Sequence, residues 1–128
     1  MRPLFRMGRS LRALRACVLP LIAPFAVNHV APAATLNWAN AAGGSAATAS
    51  NWSPAQTPTS ADDLLFNLNA TFTITYNASV PASRTHTYRT GTVTMSATNP
   101  HSASTGVTVG SLSGDNATLT LTTGTFTS

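Results

Sequence analysis

The stretch Thr71-Phe72-Thr73-Ile74-Thr75-Tyr76 alternates a hydroxyl side chain with a large apolar one at every step. Side chains on a β-strand point alternately to two faces, so the pattern predicts a strand with its three apolar residues on one face. A weaker form of this alternation returns in four downstream units, which are Gly91–Met95, Thr105–Gly110, Thr118–Thr122 and Gly124–Thr127. No segment after residue 34 repeats its apolar residues at helical spacing.

Units this short cannot bury a face alone and must stack on one another. We therefore predict an all-β protein that forms the start of a right-handed parallel β-helix, a solenoid with an irregular N-terminal cap. Gly91, Gly106 and Gly124 are expected at its corners. The alternative is an antiparallel β-sandwich, because a sandwich has the same short strands and regular turn signals.

The composition divides the chain into three parts. Residues 1–33 resemble a leader, residues 34–62 form a loop-rich cap, and residues 63–128 form the strand array. No polar capping segment follows the last strand, so we expect the array to be truncated at its C-terminus and to be part of a longer protein.

The leader carries most of the positive charge. Five of the seven arginines lie within the first fifteen residues, and an apolar run at 16–27 and the small residues of Ala31-Pro32-Ala33 follow them. This order is typical of a secretory signal peptide read by the export machinery. The apolar run is too short to span a membrane, so the mature part is not expected to be membrane-spanning. The alternative is import into an organelle through an Arg-rich transit peptide.

Removal of the leader changes the charge and the redox chemistry of the chain. The formal charge is +4 overall, but residues 34–128 hold two Arg and three Asp, which gives −1. A nearly neutral chain does not attract phosphate backbones, so nucleic-acid binding is excluded as a function class. The only cysteine, Cys17, leaves with the leader, and an exported chain without disulfides suits a bacterial exterior.

A family resemblance rests on several segments. These are Leu36-Asn37-Trp38, Gly43-Gly44, Ala49–Pro54, Ala61–Asn67 and the Gly-Thr-Val-Thr and Thr-Gly-Val-Thr-Val-Gly units. Together they resemble the N-terminal region of bacterial exported β-helix proteins, both autotransporter-like passengers with β-strand repeats and surface proteins with a PEP-type sorting tail. The resemblance implies a cell-surface, outer-membrane-associated or extracellular location. The chain shows neither a translocator barrel nor a sorting tail, so the resemblance does not indicate how it is anchored.

Five residues are candidates for weak glycan contact. Trp38 and Trp52 could stack on sugar rings, although we favour their use as core residues at the end of the solenoid. Arg84, His86 and Tyr88 are spaced to share one strand face and resemble a set that neutralises a uronate and removes its proton. For these three we favour a solvated polar face, because no acid or metal cluster accompanies them. His101 is predicted to be a surface residue of a loop.

The adjacent carboxylates Asp62 and Asp63 lack the further oxygen ligands that calcium needs, so a turn or edge role is expected and no metal or other cofactor is predicted. No catalytic motif is present, and any catalytic region would lie mostly beyond residue 128. The sequence predicts a non-enzymatic, exported, structural or adhesin-like protein whose partners are surface glycans or other envelope or matrix components. The alternative is the N-terminal part of a β-helical carbohydrate-binding or polysaccharide-lyase-type protein.

Overall fold

The computed structural model describes residues 32–77 and 80–128, and the predicted leader at 1–31 lies outside them. This part of the chain is all-β, with eight strands and one short 3-10 helix at Ala49–Asn51. The strands are β1 (Thr35–Trp38), β2 (Gly44–Ser45), β3 (Trp52–Ser53), β4 (Asp63–Tyr76), β5 (Ser83–Ala97), β6 (His101–Val109), β7 (Asn116–Thr123) and β8 (Phe126–Thr127).

The strands form one open mixed sheet that is mainly parallel. Its path runs β3-β1-β4-β5-β6-β8, with β2 beside β4 and β7 beside β5. Only β1 and β3 pair antiparallel among the described strands. An antiparallel sandwich does not contain a run of parallel neighbours, so the structure is unlike the alternative fold that the sequence left open.

Successive parallel strands pair at nearly constant sequence separation. Leu64 lies opposite His86, which lies opposite Val107, so partners are 22 and then 21 residues apart. The second halves of β4 and β5 pair with the same separation, as Phe72 opposite Val93 shows. Each strand therefore places its inward residues directly above those of its neighbour.

Two strands are longer than the sequence pattern predicts. The segments expected as separate strands around Leu64–Phe66 and Thr71–Tyr76 are joined in the 14-residue β4, and β5 has 15 residues. Register shifts on either side of Asn67 mark where β4 is irregular within its length. Gly91 in β5 takes φ +83°, and a Cβ there would meet the backbone oxygens of Leu68 and Ala70. The prediction of a glycine corner at this position is confirmed, although the corner lies within a strand.

Aromatic and aliphatic side chains from β1, β3, β4 and β5 fill the core. Trp38 and Trp52 meet edge to face with ring centroids 5.0 Å apart, and Trp38 also stacks on Phe72. Deeper in the core, Phe66 stacks on Tyr88 with centroids 4.5 Å apart. Such pairs add about 0.5–1.5 kcal/mol each to the gain from burial, which matters in a chain with few large apolar residues.

Candidate functional site

The most concentrated set of chemically versatile side chains lies inside the protein, where β5 faces β4 and β6. We call it the histidine network, formed by Ser83, His86, Tyr88, Met95 and His101. The exposed fraction is 4% for His101 and 0% for the other four. Tyr76 and Phe126 pack against its histidine rings, with Tyr76 centred 4.2 Å from His101.

The hydrogen bonds of the network form a directed chain. The Ser83 hydroxyl lies 2.6 Å from His86 Nε2, and the Tyr88 hydroxyl lies 3.1 Å from His86 Nδ1. Tyr88 donates its hydroxyl proton to Met95 Sδ at 2.9 Å, so its oxygen accepts from Nδ1. Nε2 is then the acceptor for Ser83. This arrangement is satisfied by neutral His86 carrying its proton on Nδ1, because every donor then has an acceptor.

Burial keeps both histidines of the network neutral. Desolvation, followed by the positive charge that His101 can carry, lowers the pKa of His86 to about 3. Desolvation lowers the pKa of His101 to about 4, and the two Nε2 atoms lie 3.3 Å apart. Burial also raises the pKa of Tyr88, with Tyr76 adding to the effect. At neutral pH the network is therefore uncharged and held by hydrogen bonds alone.

The pair Ser83 and His86 has the spacing of a nucleophile and its general base, but no substrate can reach it. Neither residue is exposed, and the second ring nitrogen of His86 faces a tyrosine where an orienting carboxylate would be expected. The arrangement as it stands fixes the packing of the core. Unpaired polar groups there would be costly, so the network favours one arrangement of β4, β5 and β6.

The prediction that Arg84, His86 and Tyr88 share one strand face is wrong. His86 and Tyr88 point inward, whereas Arg84 is exposed and Ser83 takes the buried position before it. The cause is a register irregularity between Ser83 and Thr85, which breaks the alternation at Arg84. Arg84 instead pairs with Asp63, and its hydrogen bonds hold the pKa of that carboxyl below its usual value.

The two tryptophans are core residues and offer no ring face to a glycan. Their exposed fractions are 3% for Trp38 and 2% for Trp52. Each indole N–H also has a backbone acceptor, Asn40 O for Trp38 and Ala46 O for Trp52. The core role that the sequence analysis favoured is confirmed. Of the five candidate glycan contacts, only Arg84 is accessible in the structure.

His101 is buried, so its prediction as a surface loop residue is wrong. It is the first residue of β6, where pairing with Phe126 of β8 turns its ring into the histidine network. The signal in the sequence is the alternation of His101 with Ala103, which are both buried. Sequence analysis also missed Ser83 and Met95, which have no distinctive motif around them.

Asp62 holds the turn that leads into β4, and the predicted turn role is confirmed. Its carboxylate accepts hydrogen bonds from the backbone N–H of Ala34 and from the N–H and hydroxyl of Thr59. Burial alone would raise the pKa of Asp62, but these bonds and one from Gln56 outweigh it and lower the pKa. Asp62 thereby ties the start of the described chain to the first long strand.

A polar groove lies on the outer surface beside the corner at Gly91. Its volume is about 250 Å³, and its lining consists of Asn69, Ala70, Thr71, Gly91, Thr92, Asn116 and Thr118. The groove offers amides and hydroxyls and no ionisable group. Within residues 32–77 and 80–128, no three His, Cys, Asp or Glu residues lie close enough to hold a metal ion. The same residues contain no helix long and apolar enough to cross a membrane.

Comparison of the chain with protein-family models, curated proteins and solved structures found no match.

Proposed function

We propose that this protein is an exported, non-enzymatic β-helix protein with a structural or adhesin-like role at the cell surface or in the surrounding matrix. The observation that carries the proposal is the parallel pairing at 21 to 22 residues, which supports reading the strands as the first coils of a right-handed β-helix. A stack of coils gives a long, repetitive outer surface suited to holding other molecules or cells.

The distribution of polar groups supports a passive role for this surface. The titratable side chains of the histidine network lie inside, while the outer positions of β4 and β7 carry mainly Thr and Asn. The aspartates Asp63 and Asp115 each pair with an arginine, Arg84 and Arg89 respectively. Recognition by such a surface uses hydroxyl and amide hydrogen bonds rather than charge.

The carbohydrate-active alternative has less support. Sugar recognition commonly uses an exposed aromatic ring, whereas Trp38, Trp52 and Tyr88 are all buried. The polar groove beside Gly91 is the feature that favours it, since amides and hydroxyls can bind sugar hydroxyls. Binding on a glycan array that is lost when Asn69 and Asn116 are both changed to Ala would select this alternative.

Expression of the full chain in a bacterial host tests export. We expect the product outside the cytoplasm, with an N-terminus at Ala34, because Ala31 and Ala33 are the small residues that a signal peptidase requires. The variant Ala33→Phe should accumulate uncleaved. A wild-type product that starts near Met1 would contradict the export proposal.

The adhesin-like role needs a separate test. Cells that display the chain should be retained under flow, on plastic or on films of matrix polysaccharide, better than cells displaying Val93→Asp at the same level. Val93 is fully buried, so this variant removes the folded surface while keeping the same leader. Equal retention of the two strains would count against adhesion.

A further inference from the structure

The outward residues of three neighbouring strands form a regular array, which we call the hydroxyl grid. β4 contributes Thr71, Thr73 and Thr75, β5 contributes Thr92, Thr94 and Ser96, and β7 contributes Thr118, Thr120 and Thr123. Each row of the grid contains three residues that lie opposite one another in the parallel pairing. In the last row the hydroxyls of Ser96 and Thr123 are 2.9 Å apart, which places both side chains on the same side of the sheet.

The grid faces solvent and is uncharged. Its β4 and β7 members are exposed and its β5 members are half-buried between them, while the intervening Phe72, Ile74, Val93 and Met95 are buried. β4 and β5 pair without a break from Thr71 to Tyr76, so their grid residues stay aligned. Beneath them, the packed core fixes the backbone that carries the hydroxyls.

The spacings of the grid follow from strand geometry. Neighbouring parallel strands lie about 4.8 Å apart, and alternate residues along a strand lie about 6.6 Å apart. The grid therefore repeats in two directions, with a hydroxyl and a methyl group at eight of its nine points. A threonine hydroxyl both donates and accepts, so each point can bond to a water molecule in either orientation.

Ice has nearly the same two spacings. Water oxygens that are hydrogen-bonded at about 2.75 Å in tetrahedral geometry have second neighbours about 4.5 Å apart and an axial repeat of about 7.3 Å. Measured outward from Thr94 at the centre, the grid departs from that lattice by about 0.3 Å across the strands and about 0.7 Å along them. Rotation of a hydroxyl about its side-chain bond covers such differences.

We propose that the hydroxyl grid is an ice-binding surface, with crystalline water as its ligand. A repetitive, uncharged face of hydroxyl and methyl groups complements a repetitive, uncharged lattice, and a small soluble ligand would use only one or two of its points. A crystalline polysaccharide is the competing occupant, but the grid has no aromatic ring to stack on sugars. The inference concerns this face alone and does not rest on export or adhesion.

The test measures the gap between freezing and melting points, and the inhibition of ice recrystallisation, with the purified full chain. We expect the wild type to be active and Thr94→Lys and Thr120→Lys to need a roughly tenfold higher concentration for equal inhibition, the equivalent of about 1.4 kcal/mol. Thr120 is exposed, so its variant should fold even if Thr94→Lys does not. Thr108→Lys changes an exposed threonine of β6 outside the grid and should keep full activity.

Folding of each variant is checked by the emission of the buried tryptophans. A folded wild type without activity at any soluble concentration would overturn the proposal, as would equal activity of all folded variants. Sedimentation with crystalline chitin or cellulose, combined with no effect on ice, would overturn it in favour of a polysaccharide.

Discussion

Acid should destabilise the folded protein strongly above the range in which carboxylates titrate. The unfolded chain binds protons at His86 and His101 near pH 6.5, whereas the folded chain binds them only near pH 3 and pH 4. Between these values the unfolded state holds two more protons than the folded state. The free energy of unfolding therefore falls as the pH decreases and is constant above about pH 7.5.

The size of the effect follows from the two groups. Each contributes about 1.4 kcal/mol per pH unit once it is fully protonated in the unfolded chain, so two together approach about 2.7 kcal/mol per unit. Integrated from pH 7.5 to pH 5.0, the expected loss is about 4 kcal/mol, a large share of the stability of a small domain. The pKa values of Asp62, Asp63 and Asp115 are lowered, so these groups add to the loss only at more acidic pH.

The assay is urea unfolding at half-unit pH steps, followed by tryptophan emission, because Trp38 and Trp52 are almost fully buried in the folded state. His101→Gln provides the matched control, since it should halve the loss to about 2 kcal/mol whatever its effect at neutral pH. A wild-type free energy that stays flat from pH 7.5 to 5.0, or falls by less than one proton accounts for, would refute the burial of the two imidazoles.

Two further pairs of substitutions separate backbone and polar effects, and both are read from urea unfolding at pH 7.5. Gly124→Ala should destabilise by at least about 1–3 kcal/mol, since φ is +80° and the new Cβ would meet the backbone of Ala97, whereas Gly114→Ala has a similar φ but open space and should cost less. Equal costs would show that the close approach is unimportant. Tyr88→Phe should cost about 1–3 kcal/mol because His86 loses an acceptor, whereas Tyr76→Phe removes a hydroxyl that has no partner and should be neutral or stabilising. Similar losses for both tyrosine variants would contradict the hydrogen-bond assignment.

The β class and the buried face of β4 could be predicted from the sequence, because alternation depends only on neighbouring residues. Thr71–Tyr76 is a strand, and its predicted buried residues Phe72, Ile74 and Tyr76 are buried. The tryptophans could also be placed in the core, since a chain with so few large apolar residues needs them there.

The histidine network could not be predicted, because it depends on contacts between segments distant in sequence. One irregular residue at Arg84 changes which side chains of β5 face inward, and alternation gives no warning of it. His101 reaches the core only because β6 pairs with both β5 and β8. Its flanking Pro, Ser and Asn residues are typical of a loop and conceal a buried strand start.

The corner between the two halves of β5 also has a counterpart of different length. Five positions separate Tyr88 from Val93 in β5, whereas ten separate their partners, Val109 in β6 and Leu119 in β7. The parallel pairing on either side is preserved although the second corner is five residues longer. Chain length at this corner is thus free to vary, and the loop at 110–115 is a natural place to insert a foreign epitope or an affinity tag.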